Sequence, residues 1–445
     1  MKDDGPQATR RGFLGKTAGL VAVAGLATNA EAREQPGEAR AEAGSSREPF
    51  YGPYQGGILT PQQSHSYFAA FDLITNKRDD LIALLGDWTD ASARMTQGLP
   101  IAPFDPPAPS GPANAYGQTA NAADDPPAPA TPAIDTGETD GLTTARLTLT
   151  FGFGPGVFGK DGKDRYGLAD RRPEAFVDLP HFVGDELVEA HTGGDLSVQA
   201  CADDPQVAFH AVRQLARLAD GTAQIRWTQT GFMPRFGAGQ TPRNIMGFKD
   251  GTNNPAIRDA GAMDKVVWVG GEGPAWMRGG SYLVARRIRI ALEHWDRMNL
   301  GFQEQTVGRH KASGAPVGLN HEFAPLDLDA KDKDGNYVIA ENAHVRLAAA
   351  ASNGGAQILR RPYSYNDGVN FTAERWPPWR QGMEYDAGLF FLSYQRDPRT
   401  GFIRIFENMA KLDMMNQFAT HVGGGHFACP AGIRQNEFLG QRLFA

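Results

Sequence analysis

The chain has 445 residues, 41% apolar and 21% charged, with a net charge of −7 and only two cysteines, Cys201 and Cys429. That size and balance fit a soluble globular protein of two or more domains. They exclude a disulfide scaffold and cysteine-ligated zinc or iron–sulfur centres, and no basic stripe points to a nucleic-acid partner. The two cysteines are expected as separate buried thiols, with a single disulfide after export as the alternative.

In chain order, the first element is a leader. Arg10 and Arg11 precede Phe13, Leu14 and an apolar run from Ala18 to Ala27, and Ala30, Glu31 and Ala32 follow as a small-residue cleavage site. A basic region, a short apolar region and such a site describe a signal peptide, too short to span a membrane for good. The paired arginines specify the twin-arginine route. Residues 1–32 are therefore set aside as a leader cut after Ala32, and the mature protein is expected in the periplasm or outside the cell. No other stretch is long and apolar enough for a membrane helix.

Residues 33–50 are rich in Glu, Ala, Gly and Ser and read as a disordered linker. Residues 100–139, rich in Pro, Ala, Asp and Gly, read as an irregular surface insert. Arg146 to Phe151 alternate as a half-buried strand should, and Leu196, Val198 and Ala200 mark a second strand. Val207, Val212, Leu215 and Leu218 fall at helical spacing within Pro205 to Leu218. Ser281 to Ile290 is predicted as a strand, Gly388 to Tyr394 as an apolar strand, and Phe402 to Lys411 as a helix. These elements divide into two α+β halves, residues 51–243 and 244–445.

Between the halves lies Gly247-Phe248-Lys249-Asp250-Gly251-Thr252-Asn253-Asn254-Pro255. Glycine permits unusual backbone angles and close approach to a ligand. A carboxylate on such a loop suits general acid/base work, although a bare Asp-Gly pair is also an ordinary turn. The full string resembles the distal-loop signature of the dye-decolorizing (DyP-type) haem peroxidases. Further segments are similar to that family: Gly193 to Leu196 with Cys201 to Asp204, Trp276 to Tyr282, Gly308 to Lys311, His344 to Leu347, Ile358 to Arg361, and Asp413 to Gly424. Together with the leader they resemble its exported subgroup, which includes the deferrochelatase/peroxidase of ferrous-iron uptake operons.

The resemblance implies two ferredoxin-like domains with antiparallel sheets and one haem b in the second. It implies His344 as the axial iron ligand, in preference to His310, His321 and His421, and Asp413 as the carboxylate behind it, making the imidazole more basic. On the distal side it implies Asp250 as the proton carrier and Arg360, in preference to Arg361, as the fixed cation. A nearby arginine keeps an aspartate ionised, so activity is expected to favour acidic conditions. Gly251, Thr252 and Asn253, with Ala349, Ala350 and Ala351, are expected to line the cofactor. The subgroup often carries an Asn-Pro-Arg where this chain has Ala349, Ala350 and Ala351. Arg309 is the expected substitute for that arginine at a haem propionate, with Arg286 as the alternative. Trp376, Trp379, Tyr385 and Tyr394 could relay electrons but read first as packing aromatics. The expected reactants are hydrogen peroxide and a small organic reductant, or haem itself for iron release. A haem carrier is the non-enzymatic alternative. Iron-uptake proteins and a second copy of the chain are the expected protein partners.

Overall fold

The computed structural model describes residues 47–102, 134–234, 240–373 and 381–445. The leader, nearly all of the linker, most of the insert, and Trp376 and Trp379 lie outside the described residues. The first half runs β1 (His65–Leu73), α1 (Arg78–Met95), β2 (Thr148–Phe153), β3 (Leu196–Ala202), α2 (Pro205–Leu218) and β4 (Ala223–Phe232). Its four strands pair antiparallel in the order β2-β3-β1-β4. The second half runs α3 (Ala260–Val266), β5 (Ser281–Ile290), α4 (Leu292–Trp295), α5 (Leu300–Val307), α6 (His344–Ala348), β6 (Leu359–Arg360), β7 (Tyr363–Ala373), β8 (Gln381–Gln395), α7 (Phe402–Leu412) and β9 (Ala419–Cys429). Its four long strands pair antiparallel in the order β9-β5-β8-β7, with β6 on β8. Each half thus repeats one plan, in which two inner strands are flanked by the last and the second. This is the ferredoxin-like arrangement, and the fold is α+β. The halves join at both edges, Phe153 opposite Ala428 and Phe232 opposite Ser364.

The alternation of side chains on β1 shows how the core is built. Ala69, Phe71 and Leu73 face α1 and α2, where they meet Leu84, Trp88, Val212 and Leu215. Phe68 and Ala70 face the other sheet, and with Trp227 of β4 they pack against its Phe390 and Phe427. This arrangement corrects the expected half-buried strands. All six residues of β2 and all seven of β3 are buried, because one face is covered by helices and the other by the second sheet and an irregular segment of the same half.

Local chemistry sets the helix ends. Asp204 caps α2 by accepting from the backbone N–H groups of Gln206 and Val207, and Pro205 fills the first helical position, where no donor is needed. Asn299 caps α5 through Phe302 N–H, and Gly308 ends it at φ +85°. Cys201 and Cys429 are both buried and free.

Candidate functional site

A cleft opens in the second half between the sheet, the loop before α3, and the helices α6 and α7. It contains about 1720 Å³ of space not filled by protein atoms, part of it open to solvent. Its walls are mostly apolar, with Met246, Phe248, Ile288, Ile290, Phe391 and Met409 among them. A few polar groups interrupt these walls.

On one side stands His344, the first residue of α6. Its Nδ1 lies 2.7 Å from Asp413 Oδ2. Asp413 is almost wholly buried and follows α7, where its Oδ1 also accepts from Met415 N–H at 2.8 Å. Both carboxylate oxygens are therefore engaged, which fixes the ring and leaves Nε2 for the cleft. Burial opposes protonation of His344, but Asp413 more than offsets it and raises the pKa above the ordinary value; Arg360 works against that rise.

On the other side is the loop from Arg243 to Asn254. Asn244 organises it, its side chain accepting from Met246 and Phe248 N–H and its own N–H donating to Phe248 O. Gly247 and Gly251 hold φ of +85° and +123°, which favours glycine at both positions. Asp250 is tied through its N–H to Pro242 O, and its Oδ1 accepts from Arg360 Nη1 at 2.7 Å. Arg360 enters from β6. Its backbone is gripped by one carboxamide: Asn254 Nδ2 donates to Arg360 O at 2.7 Å, and Arg360 N–H donates to Asn254 Oδ1 at 3.1 Å.

His344, Asp250, Arg360, Gly251, Thr252, Asn253, Arg309 and Asp413 all line this one cleft. Arg309 is buried and donates to the carbonyls of Gly314 and Glu322. Burial lowers its pKa, Glu322 opposes the shift and Arg360 adds to it. Of the three alanines, Ala350 lines the cleft, whereas Ala349 is buried and Ala351 is exposed. The tight turn after α6 points successive side chains in different directions. Arg286 is committed elsewhere, paired with Asp185 at 3.3 Å among the rings of Phe182, Phe402 and Phe406. Arg361 is buried against Thr60 O and Gln63 and faces away from Asp250.

His310 is bonded to Glu304 and His321 is exposed; neither lines the cleft. His421 does line it, beside the Phe406 ring at 4.5 Å. Burial and then Arg286 push its pKa down to about 3, and among the described residues no carboxylate bonds its Nδ1. Tyr394 is buried with its hydroxyl on Gln199 Oε1, and Tyr385 is half-buried; neither lines the cleft. Sequence reasoning missed Asn254 and weighed His421 only as a lesser candidate for the axial ligand. Asn254 sits inside the motif, but its neighbour Asn253 carries the same chemistry, and only the path of β6 distinguishes them.

The residues fit haem. An imidazole with a carboxylate on its far nitrogen is an iron-ligand pairing. A largely apolar cleft runs from it to a carboxylate–guanidinium pair.

Comparison with known proteins gives the family. The description "Dyp-type peroxidase, N-terminal" matches residues 55–233, and "Dyp-type peroxidase, C-terminal" matches residues 241–434. A dye-decolorizing peroxidase of Thermobifida fusca is 34% identical over 98% of this chain and 97% of its own. A deferrochelatase of Escherichia coli is 33% identical over 98% and 96%. The oxyferrous complex of DtpA from Streptomyces lividans superposes with a TM-score of 0.77 at 36% identity, covering 91% of this chain and 99% of that one.

Proposed function

The chain belongs to the Dyp-type peroxidase family, and from that premise we propose that the cleft between His344 and the Asp250–Arg360 pair is the active site of a haem b peroxidase. One observation carries the assignment. A ligand-type imidazole and a proton-carrying pair stand on opposite walls of one apolar cleft. Haem, when bound, supplies the iron at which hydrogen peroxide is reduced and the oxidising power that an organic reductant then consumes.

The protein's own groups have separate tasks. His344 offers Nε2 to the metal while Asp413 holds the ring and makes it a stronger donor. The Asp250 carboxylate accepts a proton from hydrogen peroxide and returns it to the oxygen that leaves as water. Arg360 keeps a fixed positive charge beside it and orients its Oδ1. Arg309 is the cation suited to a haem propionate. The apolar walls exclude water from the remaining volume.

A second reading, iron release from haem, is favoured by the relatives named deferrochelatase. It uses the same cleft, and metal-free porphyrin with free iron as products would identify it. The paired Arg10 and Arg11 support export by the twin-arginine route. Replacing both with lysine should leave precursor in the cytoplasm, and normal export of that variant would reject the route.

The test of the site is the second-order rate of the haem-loaded protein with hydrogen peroxide. Asp250→Asn should retain haem and slow it by ~10²–10⁴-fold. Arg360→Leu should slow it by ~10²–10³-fold. A double variant as fast as the parent would make a haem carrier the better reading.

A further inference from the structure

The loop that carries Asp250 has no helix or strand, only an isolated antiparallel bridge between Arg243 and Lys249. Gly251 takes φ +123°, and the Asp250 N–H to Pro242 O bond is a backbone anchor at its centre. The flanking side chains supply further anchors, and both reach the same carboxylate. Lys249 Nζ donates to Glu322 Oε2, and Thr252 Oγ1 donates to Glu322 Oε1 at 3.1 Å. Glu322 lies 70 residues or more downstream of both. Its backbone is itself fixed, since Arg309 Nη1 donates to Glu322 O at 2.9 Å.

We propose that Glu322 is a positioning residue for Asp250: by clamping Lys249 and Thr252 together it holds the carboxylate between them against Arg360. The proposal rests on the reading of Asp250 as the proton carrier. Lys249, Arg309 and Arg360 and the carboxylates of Asp250 and Glu322 lie together at this wall, while Arg243 is engaged with Gly247 O and Lys311 with Gln303. Without Glu322, Lys249 would be the unpaired cation nearest in sequence to Asp250 and would compete with Arg360 for it. Burial works against charge on Glu322, but hydrogen bonds from Lys249, Thr241 and Thr252 more than offset it and hold its carboxyl below the usual range. The clamp is therefore charged at neutral pH. A geometric role of this kind can be large, because displacement of a reacting group by about 1 Å can slow a reaction ~10²-fold.

The experiment compares Glu322→Ala, Asp250→Asn and the double variant, each loaded with haem, by the second-order rate with hydrogen peroxide. Glu322→Ala should lose about ten- to a hundredfold. In the Asp250→Asn background the same change should matter less than about twofold, because its target is gone. Glu322→Gln, which keeps one acceptor, should recover part of the loss. A second readout needs no turnover: in haem-free Glu322→Ala, backbone amides of residues 244–254 should exchange with deuterium several-fold faster, with α2 unchanged. If Glu322→Ala fails to fold, Lys249→Met with Thr252→Val opens the same clamp from the other end and is read identically. Losses that multiply in the double variant would overturn the proposal, as would parent-like rate and exchange in Glu322→Ala. A parent-like rate in Asp250→Asn alone would sink the reading of Asp250, while deuterium exchange would still report on the clamp.

Discussion

The two halves share one topology and use it in opposite ways. In the first, α2 lies on β1 and β3 and buries Val207, Ala208, Ala211, Val212 and Leu215 in a continuous core. In the second, the helix at the matching place is α7. It meets the sheet through Phe402, which packs with Val284 and Phe391, and then leans on α6. Ile405, Phe406 and Met409 line the cleft instead of closing it. The sequence pattern of an amphipathic helix is present in both. Its partner is a sheet in one half and the cofactor space in the other, so topology alone does not say which half carries the chemistry.

The sharpest way to break this contrast is to remove the group that makes the second half's gap useful. His344→Ala should abolish the Soret band of the reconstituted protein, whereas Asp413→Asn should weaken haem affinity ~10–100-fold. Retention of the full native spectrum in His344→Ala would reject the ligand. Haem should also act on the halves unequally. At a free concentration a thousandfold above Kd it adds ~4 kcal/mol to the folded state. Deuterium exchange should slow in α6, α7 and residues 244–254 but not in α2.

Helix truncations give a smaller contrast of the same sign. Leu215→Ala, in the closed core, should destabilise by about 3 kcal/mol in urea unfolding. Met409→Ala in the haem-free protein should change stability by only about 0.5 kcal/mol. Equal losses would mean that α7 is as tightly packed as α2. An effect read only through pH concerns His426, buried near Phe176 with Nδ1 on Val177 O. Burial pushes its pKa down to about 3, so between that value and the unfolded ~6.5 the unfolded chain binds the extra proton. Its contribution is complete above pH ~6.5 and is lost as pH falls toward 3. Between pH 6.5 and 5, His426→Phe should therefore lose ~2 kcal/mol less stability than the parent.

Much of this was legible residue by residue. The helical spacing of Val207, Val212, Leu215 and Leu218 marked α2 over its observed span, Pro205–Leu218, and the strand from Ser281 to Ile290 has the predicted bounds. The motif around Asp250 and the isolated imidazole at 344 pointed to opposite walls of one site. The full burial of β2 was not legible, because Thr148 and Thr150 alternate with Leu149 and Phe151 as they would beside water. The threonine face is covered by an irregular segment of the same half, where Thr150 bonds Gly56 O and Gln63 bonds Thr148, and by the second sheet, contributed by residues far along the chain. Glu322 carried no local signal either, since its role depends on two donors brought to it by the fold. Arg286 looked like a free cation in the sequence and is neutralised by Asp185 across a hundred positions.

The double hydrogen bond from Asn254 to the backbone of Arg360 has a consequence for redesign. The grip is on main-chain atoms, which every amino acid except proline presents in full. The side chain at 360 is thus decoupled from the scaffold that delivers it. Lysine, glutamine, histidine or leucine can be installed there and arrive at the same point on the cleft wall, giving a set of variants that differ in chemistry at constant backbone. Position 254 offers no such freedom: only asparagine brings a donor and an acceptor at that reach, so evolution of new oxidation chemistry in this scaffold is open at 360 and closed at 254.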